Sequence, residues 1–146
     1  MADDPDLRFL GFSLWVDRPQ FPDAADYWDG NWLVVRVRKE AQGACIKCDG
    51  PILMTADIKQ FRDKLAKMLK TLDGTAALEP LEPELKITLK MQSGGQVQAT
   101  IEITPDHFSQ RHHFAVEADQ SYLPALIASR DDILARFPVV NTEKEV

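Results

Sequence analysis

Leu85-Lys86-Ile87-Thr88-Leu89-Lys90-Met91 and, after Gln92-Ser93-Gly94-Gly95-Gln96, Val97-Gln98-Ala99-Thr100-Ile101-Glu102-Ile103 carry the cleanest two-residue alternation in the chain. Successive side chains of a strand point to opposite faces, so Leu85, Ile87, Leu89 and Met91 share one side of the first strand. Val97, Ala99, Ile101 and Ile103 do the same on the second. Ser93-Gly94-Gly95 supplies the turn chemistry that joins them as a hairpin. The polar residues at the alternate positions belong in water, the pattern of an antiparallel sheet with one buried face.

Downstream of this hairpin the alternation continues over Phe108 to Glu117, with Phe108, His112, Phe114 and Val116 on one face. A helix is predicted from near Ser121. It accepts Pro124 in its first turn, buries Leu123, Leu126, Ile127, Leu134 and Phe137, and ends before Pro138. Upstream, Leu78-Glu79-Pro80-Leu81-Glu82-Pro83 must be extended, because each proline fixes its own φ and biases its predecessor away from helix. From Thr55 the apolar period lengthens: Ile58, Phe61, Leu65, Met68, Leu69 and Leu72 form the stripe of an amphipathic helix, with Thr55 as N-cap and Gly74 as its stop. Earlier still, Phe9 to Val16, Trp32 to Lys39 and Ala44 to Lys47 alternate as strands. Asp17 to Asn31, with Pro19, Pro22, Gly30 and several aspartates, is the longest expected loop.

The order β-β-β-α-β-β-β-α predicts an α+β domain: a two-layer sandwich in which an antiparallel β-sheet is covered on one face by two α-helices. The 146 residues suit one domain, residues 1–146, with a core over about 8–139 and frayed ends at 1–6 and 141–146.

A net charge of −6 disfavours direct binding of nucleic acid. The charge is uneven: residues 1–31 sum to −5, 32–72 to +5 and 73–85 to −4. Such asymmetry suits an acidic face offered to a basic partner. Met1-Ala2-Asp3-Asp4-Pro5-Asp6 lacks the basic start and apolar run of a secretory signal, and no apolar run approaches the roughly 20 residues that span a bilayer. Cys45 and Cys48 fall on a predicted strand, which aims their sulfurs to opposite faces and leaves them as free thiols. A cytoplasmic protein is expected.

The spacing Cys45-Ile46-Lys47-Cys48 matches a zinc or redox pair, but Asp49-Gly50-Pro51 follows where a redox pair needs a helix, and zinc needs two further ligands. His112 and His113 are adjacent on a predicted strand and point apart; His107 stands alone. No Gly-x-Ser-x-Gly elbow and no glycine-rich phosphate loop occurs. The paired carboxylates Glu79 with Glu82 and Asp131 with Asp132 read as solvated. The expectation is a protein that is not an enzyme, with no catalytic residue, no metal and no cofactor.

What stands out is Asp23-Ala24-Ala25-Asp26-Tyr27-Trp28-Asp29-Gly30-Asn31-Trp32, three aromatics among three aspartates. Rigid aromatics anchor interfaces and acids steer basic partners, so Asp23, Asp26, Tyr27, Trp28, Asp29 and Trp32 are candidate partner-binding residues. The alternative is that Tyr27, Trp28 and Trp32 plug the open side of the sheet. Glu79 and Glu82 join the candidates, against a reading of their segment as a stiff connector.

Four stretches together carry a resemblance: Tyr27-Trp28-Asp29-Gly30-Asn31-Trp32-Leu33, Leu78-Glu79-Pro80-Leu81-Glu82-Pro83, Asp119-Gln120-Ser121-Tyr122-Leu123 and Arg136-Phe137-Pro138-Val139. Over roughly Phe9 to Val139 the chain resembles the WapI-like family of bacterial immunity proteins. That resemblance implies a non-enzymatic immunity protein that binds and neutralises a cognate toxin, a nuclease C-terminal domain acting on transfer RNA, so that its partner is a basic protein toxin domain. A small-molecule-binding or structural α+β domain is the alternative; the sequence leaves the oligomeric state open.

Overall fold

Leu85–Met91 and Gln96–Ile103 pair antiparallel, Leu85 opposite Ile103 and Met91 opposite Val97. Their eight inward residues are all buried. The expected hairpin is therefore present, and a computed structural model describing residues 4–140 shows what surrounds it. The elements in order are β1 (Leu7–Phe9), β2 (Phe12–Pro19), α1 (Tyr27–Gly30), β3 (Trp32–Ala41), β4 (Ala44–Met54), α2 (Thr55–Thr71), β5 (Thr75–Leu78), β6 (Leu85–Met91), β7 (Gln96–Ile103), β8 (His113–Asp119) and α3 (Leu123–Arg136). Of the ends expected to fray, 1–6 and 141–146, residues 1–3 and 141–146 lie outside the described residues, while the Asp6 N–H donates to the Leu14 carbonyl at 2.8 Å and its carboxylate accepts the Val16 N–H at 2.7 Å.

The fold is mixed α+β, but the strands form two four-stranded antiparallel sheets, β1-β2-β3-β4 and β5-β6-β7-β8, where one was expected. Each sheet is a meander whose neighbours in sequence are neighbours in space. The break falls where α2 intervenes between β4 and β5. One contiguous core draws on the inward faces of both sheets and on α2 and α3. Helix α2 packs on α3, β5 and β4, and α3 also reaches β1. Phe61, Leu65 and Met68 of α2 are fully enclosed, each contributing about 1.5–3 kcal/mol by leaving water. On the surface of this helix pair, Arg62 Nε donates to Asp131 at 2.8 Å and ties α2 to α3.

Several boundaries differ from expectation for local reasons. The alternation of Leu10 with Phe12 and Leu14 suggests one strand from Phe9, yet Leu10 and Gly11 both take positive φ, at 50° and 83°. That is the requirement of a tight primed hairpin turn, and it places Phe9 opposite Phe12. A Cβ at Gly11 would run into the Glu40 carbonyl and sit 2.9 Å from Lys39 Nζ, so only glycine fits. Lys39 keeps the inward phase of Val35 and Val37; it is buried and donates to the Leu10 and Glu40 carbonyls, each at 2.9 Å.

Helix α2 begins with Thr55 as its first residue and Met54 as its cap; the Asp57 carboxylate accepts the Met54 N–H at 2.9 Å. It ends on Leu72, at φ 52° and ψ 39°, and not on Gly74. The left-handed cap is thus held by a leucine. Helix α3 follows a 3-10 turn over Gln120–Tyr122, whose Ser121 N–H is capped by the Asp119 carboxylate at 2.8 Å. Pro124 occupies its first turn as expected.

Candidate functional site

The acidic aromatic segment was expected to lack regular structure, and it folds back as a single turn of helix instead. Asp26 is the reason: its carboxylate accepts the Asp29 N–H at 3.1 Å and its carbonyl accepts the Gly30 N–H at 2.9 Å, which sets up α1. Consecutive residues of a helix point about 100° apart. Tyr27 therefore turns inward, 7% exposed, against Met54, Ala56 and the half-buried Trp32. Trp28 turns outward, 41% exposed, and meets the Tyr27 ring edge to face at 5.1 Å. Asp23 and Asp29 are exposed and Asp26 is half-buried.

Asn31, read from the sequence as a turn residue after Asp29-Gly30, is the hub beneath this turn. It is fully buried; its amide donates to the Tyr27 and Val140 carbonyls, both at 2.7 Å, and its side-chain oxygen accepts the Val140 N–H at 2.7 Å. The Asn31 carbonyl takes the Thr55 N–H at 2.7 Å and the Thr55 hydroxyl at 3.2 Å. One side chain and one carbonyl thus fasten α1, the start of α2 and residues 137–140 to one another. Gly30 fits closely here, since a Cβ would stand 2.9 Å from the Ala24 carbonyl and 3.1 Å from Val140.

Glu79 and Glu82 lie in the connection between β5 and β6, away from α1 in the chain: Glu79 is exposed and pairs with Lys86 at 3.3 Å, and Glu82 is half-buried. The candidate residues therefore fall on two separate connections, one around α1 and one between β5 and β6. Phe108, placed inward by its alternation, lies instead in an exposed turn after β7. Trp15 on the outer face of the first sheet is flanked by the guanidinium groups of Arg36 and Arg38, each 5.1 Å from its ring.

For chemistry, the strand β4 aims Cys45 outward, and Cys48 sits half-buried. Burial, then the carboxylates of Glu84 and Asp49, push the Cys48 thiol above its ordinary range, which keeps it protonated and weakly nucleophilic. Among the described residues no three His, Cys, Asp or Glu side chains are placed to hold a metal ion. No described helix is long and apolar enough to cross a membrane.

No curated protein matches the chain. A family model does, over residues 6–138, and that span takes in both sheets, α1, α2 and α3. The chain belongs to the immunity protein WapI-like family.

Proposed function

We propose that this chain is a cytoplasmic, non-enzymatic immunity protein that neutralises its cognate toxin by stoichiometric binding. Membership of the immunity family carries this reading. The toxin is a basic nuclease C-terminal domain, and the protein needs no cofactor and makes no direct contact with nucleic acid. The exposed part of the acidic turn supports the choice of a basic partner: Asp23 and Asp29 present unburied carboxylates on either side of Trp28, an arrangement that steers a positive surface and offers an aromatic anchor. Tyr27 and Trp32 support that turn from below.

The test is coexpression. The variable C-terminal domain of a large secreted protein encoded beside this chain is induced with and without it, and growth and transfer-RNA integrity are followed. Protection, together with a one-to-one complex of the purified proteins, is the expected result. Arrest that the chain does not relieve overturns the proposal.

A further inference from the structure

A hollow of about 140 Å³ opens beside the acidic turn, walled by Pro19, Phe21, Pro22, Leu33, Phe137 and Val140. That is about the space of one benzene-sized group. Its wall comes from stretches of chain that are already fastened. The Gln20 N–H donates to the Trp32 carbonyl at 2.9 Å, the Ala24 N–H to the Phe21 carbonyl at 3.1 Å and the Phe137 N–H to the Ile133 carbonyl at 2.8 Å, while Asn31 grips Val140. A hollow fixed in this way gives up little conformational freedom when it is filled. Phe21 nevertheless leaves 44% of its surface in water.

The charge around the hollow is mainly negative. Residues 19–31 hold Asp23, Asp26 and Asp29 and no lysine or arginine. Asp23 stands between Pro22 and Ala24, and Asp29 precedes Gly30; these three neighbours belong to the wall, so two exposed carboxylates sit one residue from it. The nearby cations are mostly engaged. Arg136, the one charged side chain among the described residues of the wall, pairs with Asp6 at 2.5 Å; Lys59 and Arg62, which share a groove with Pro138, pair with Asp63 and Asp131. Arg18 turns to the Pro19 carbonyl at 3.4 Å. A group that fills the hollow is therefore apolar, and the surface that carries it meets three carboxylates against one cation.

We propose that this hollow receives one aromatic or branched aliphatic side chain of a basic protein partner, presented between lysine or arginine residues that meet Asp23 and Asp29. The inference rests on the toxin reading for the identity of that partner, and it makes Phe21 the residue that selects what the partner inserts. Two probes separate the hollow from the toxin reading. One is a displayed library of short random peptides, selected on the full chain and counter-selected on Phe21→Ser; the other is the C-terminal domain used in the coexpression test. Enriched peptides carry an aromatic or aliphatic residue beside Lys or Arg. Phe21→Ala loses about tenfold or more in affinity for both probes through faster dissociation, and Phe21→Leu keeps most of it. Asp23→Asn with Asp29→Asn slows association and leaves the preference for an apolar residue intact.

A domain that the chain neutralises, but that Phe21→Ala binds as tightly as the wild type does, overturns the proposal and leaves the toxin reading standing. A domain that the wild-type chain does not neutralise removes the toxin reading, and the peptides then decide: failure to enrich, enrichment of acidic peptides, or enrichment without an apolar residue overturns the proposal. Self-association in sedimentation that Phe21→Ala abolishes assigns the hollow to a second copy, and binding about tenfold tighter by a chain ending at Val140 assigns it to residues 141–146; either result overturns it. Phe21→Ala keeps the wild-type Tm. Losses of affinity that follow a lowered Tm in both Phe21 variants make the ring structural and also overturn the proposal.

Discussion

Replacing Arg130 by methionine should make the protein more stable. Arg130 lies on α3, 2% exposed, with its guanidinium 4.0 Å over the Phe61 ring and its Nε without a hydrogen-bond partner. No carboxylate pairs with it among the described residues. Burial pushes its pKa well below the ordinary arginine range, to about 9, a drop that corresponds to roughly 5 kcal/mol against the charged form. The ring beneath it returns about 2 kcal/mol as a cation–π contact. Methionine keeps an unbranched stem over Phe61 and removes the charge, so Arg130→Met should gain about 2–3 kcal/mol. For a chain of this size that is a rise of roughly 5–10 °C in Tm. Urea titration followed by circular dichroism reads it as a higher midpoint at unchanged slope. Arg130→Ala leaves a void above Phe61 and should fall about 2 kcal/mol below the methionine variant.

The pH dependence supplies a second readout, with a definite sign. A cation whose folded pKa is depressed is penalised in full below that pKa, and the penalty fades as pH rises above about 9 toward the ordinary arginine range, a window in which the unfolded chain holds the extra proton. The advantage of Arg130→Met over the wild type is therefore flat around neutral pH and shrinks above about 9. A methionine variant less stable than wild type by about 1 kcal/mol or more would refute the reasoning, because it would mean that the guanidinium is well satisfied in the fold.

Asn31→Ala strands the Val140 N–H and leaves two carbonyls without their donor, and it should cost about 2–4 kcal/mol in chemical denaturation. Leu72→Gly relieves the left-handed cap of a half-exposed residue and should raise stability by about 0.5–1 kcal/mol, read as a shift in midpoint. Tyr27→Ala should lower Tm by removing a buried ring, whereas Trp28→Ala should leave Tm near wild type and speed dissociation of the toxin complex. Asp23, Asp26 and Asp29 changed together to Asn, which still caps α1, should slow toxin association and flatten its salt dependence while dissociation stays put; wild-type association kinetics in that variant would remove the steering role.

Strand alternation was legible because it is a local property, fixed by where successive Cβ atoms point, and it located β3, β6 and β7. It says which face a residue takes and nothing about which strand lies beside it, so the division into two sheets at α2 could not be read from it. Alternation also misled where a side chain captured the backbone. Phe108 shares the parity of His112 and Phe114, but Asp106 draws the Phe108 N–H and the Ser109 hydroxyl into a turn, and β8 starts only at His113. The signal was present in Thr104-Pro105-Asp106, an opening that favours turns over strands. Lys39 and Arg130 follow the periodicity of their elements inward, against their polarity. A lysine at a strand end finds two carbonyls there, whereas an arginine between helices finds an aromatic face.

Tyr27 of the aromatic loop takes the core position, whereas Trp28 beside it faces solvent. Asp26 caps one helical turn, the turn separates Tyr27 from Trp28 by about 100°, and the same segment both seals a small apolar cluster and presents a tryptophan to solvent. In the motif Arg136-Phe137-Pro138-Val139, Arg136 donates to the Asp6 carboxylate at 2.5 Å and the chain runs directly to Val140, which Asn31 grips; Tyr122 packs edge-on against Phe9 at 6.2 Å. Three of the four stretches that carry the family resemblance thus contain residues that fasten one part of the chain to another. Side chains committed to such fastening are poor places to encode the identity of a partner, since changing them loosens the fold first. Under the proposed function, specificity is carried instead by the exposed groups of the acidic turn, Asp23, Trp28 and Asp29. Substitutions at those three positions should alter partner choice at nearly constant Tm, and substitutions at Tyr27, Asn31 or Gly30 should lower Tm before they alter anything else.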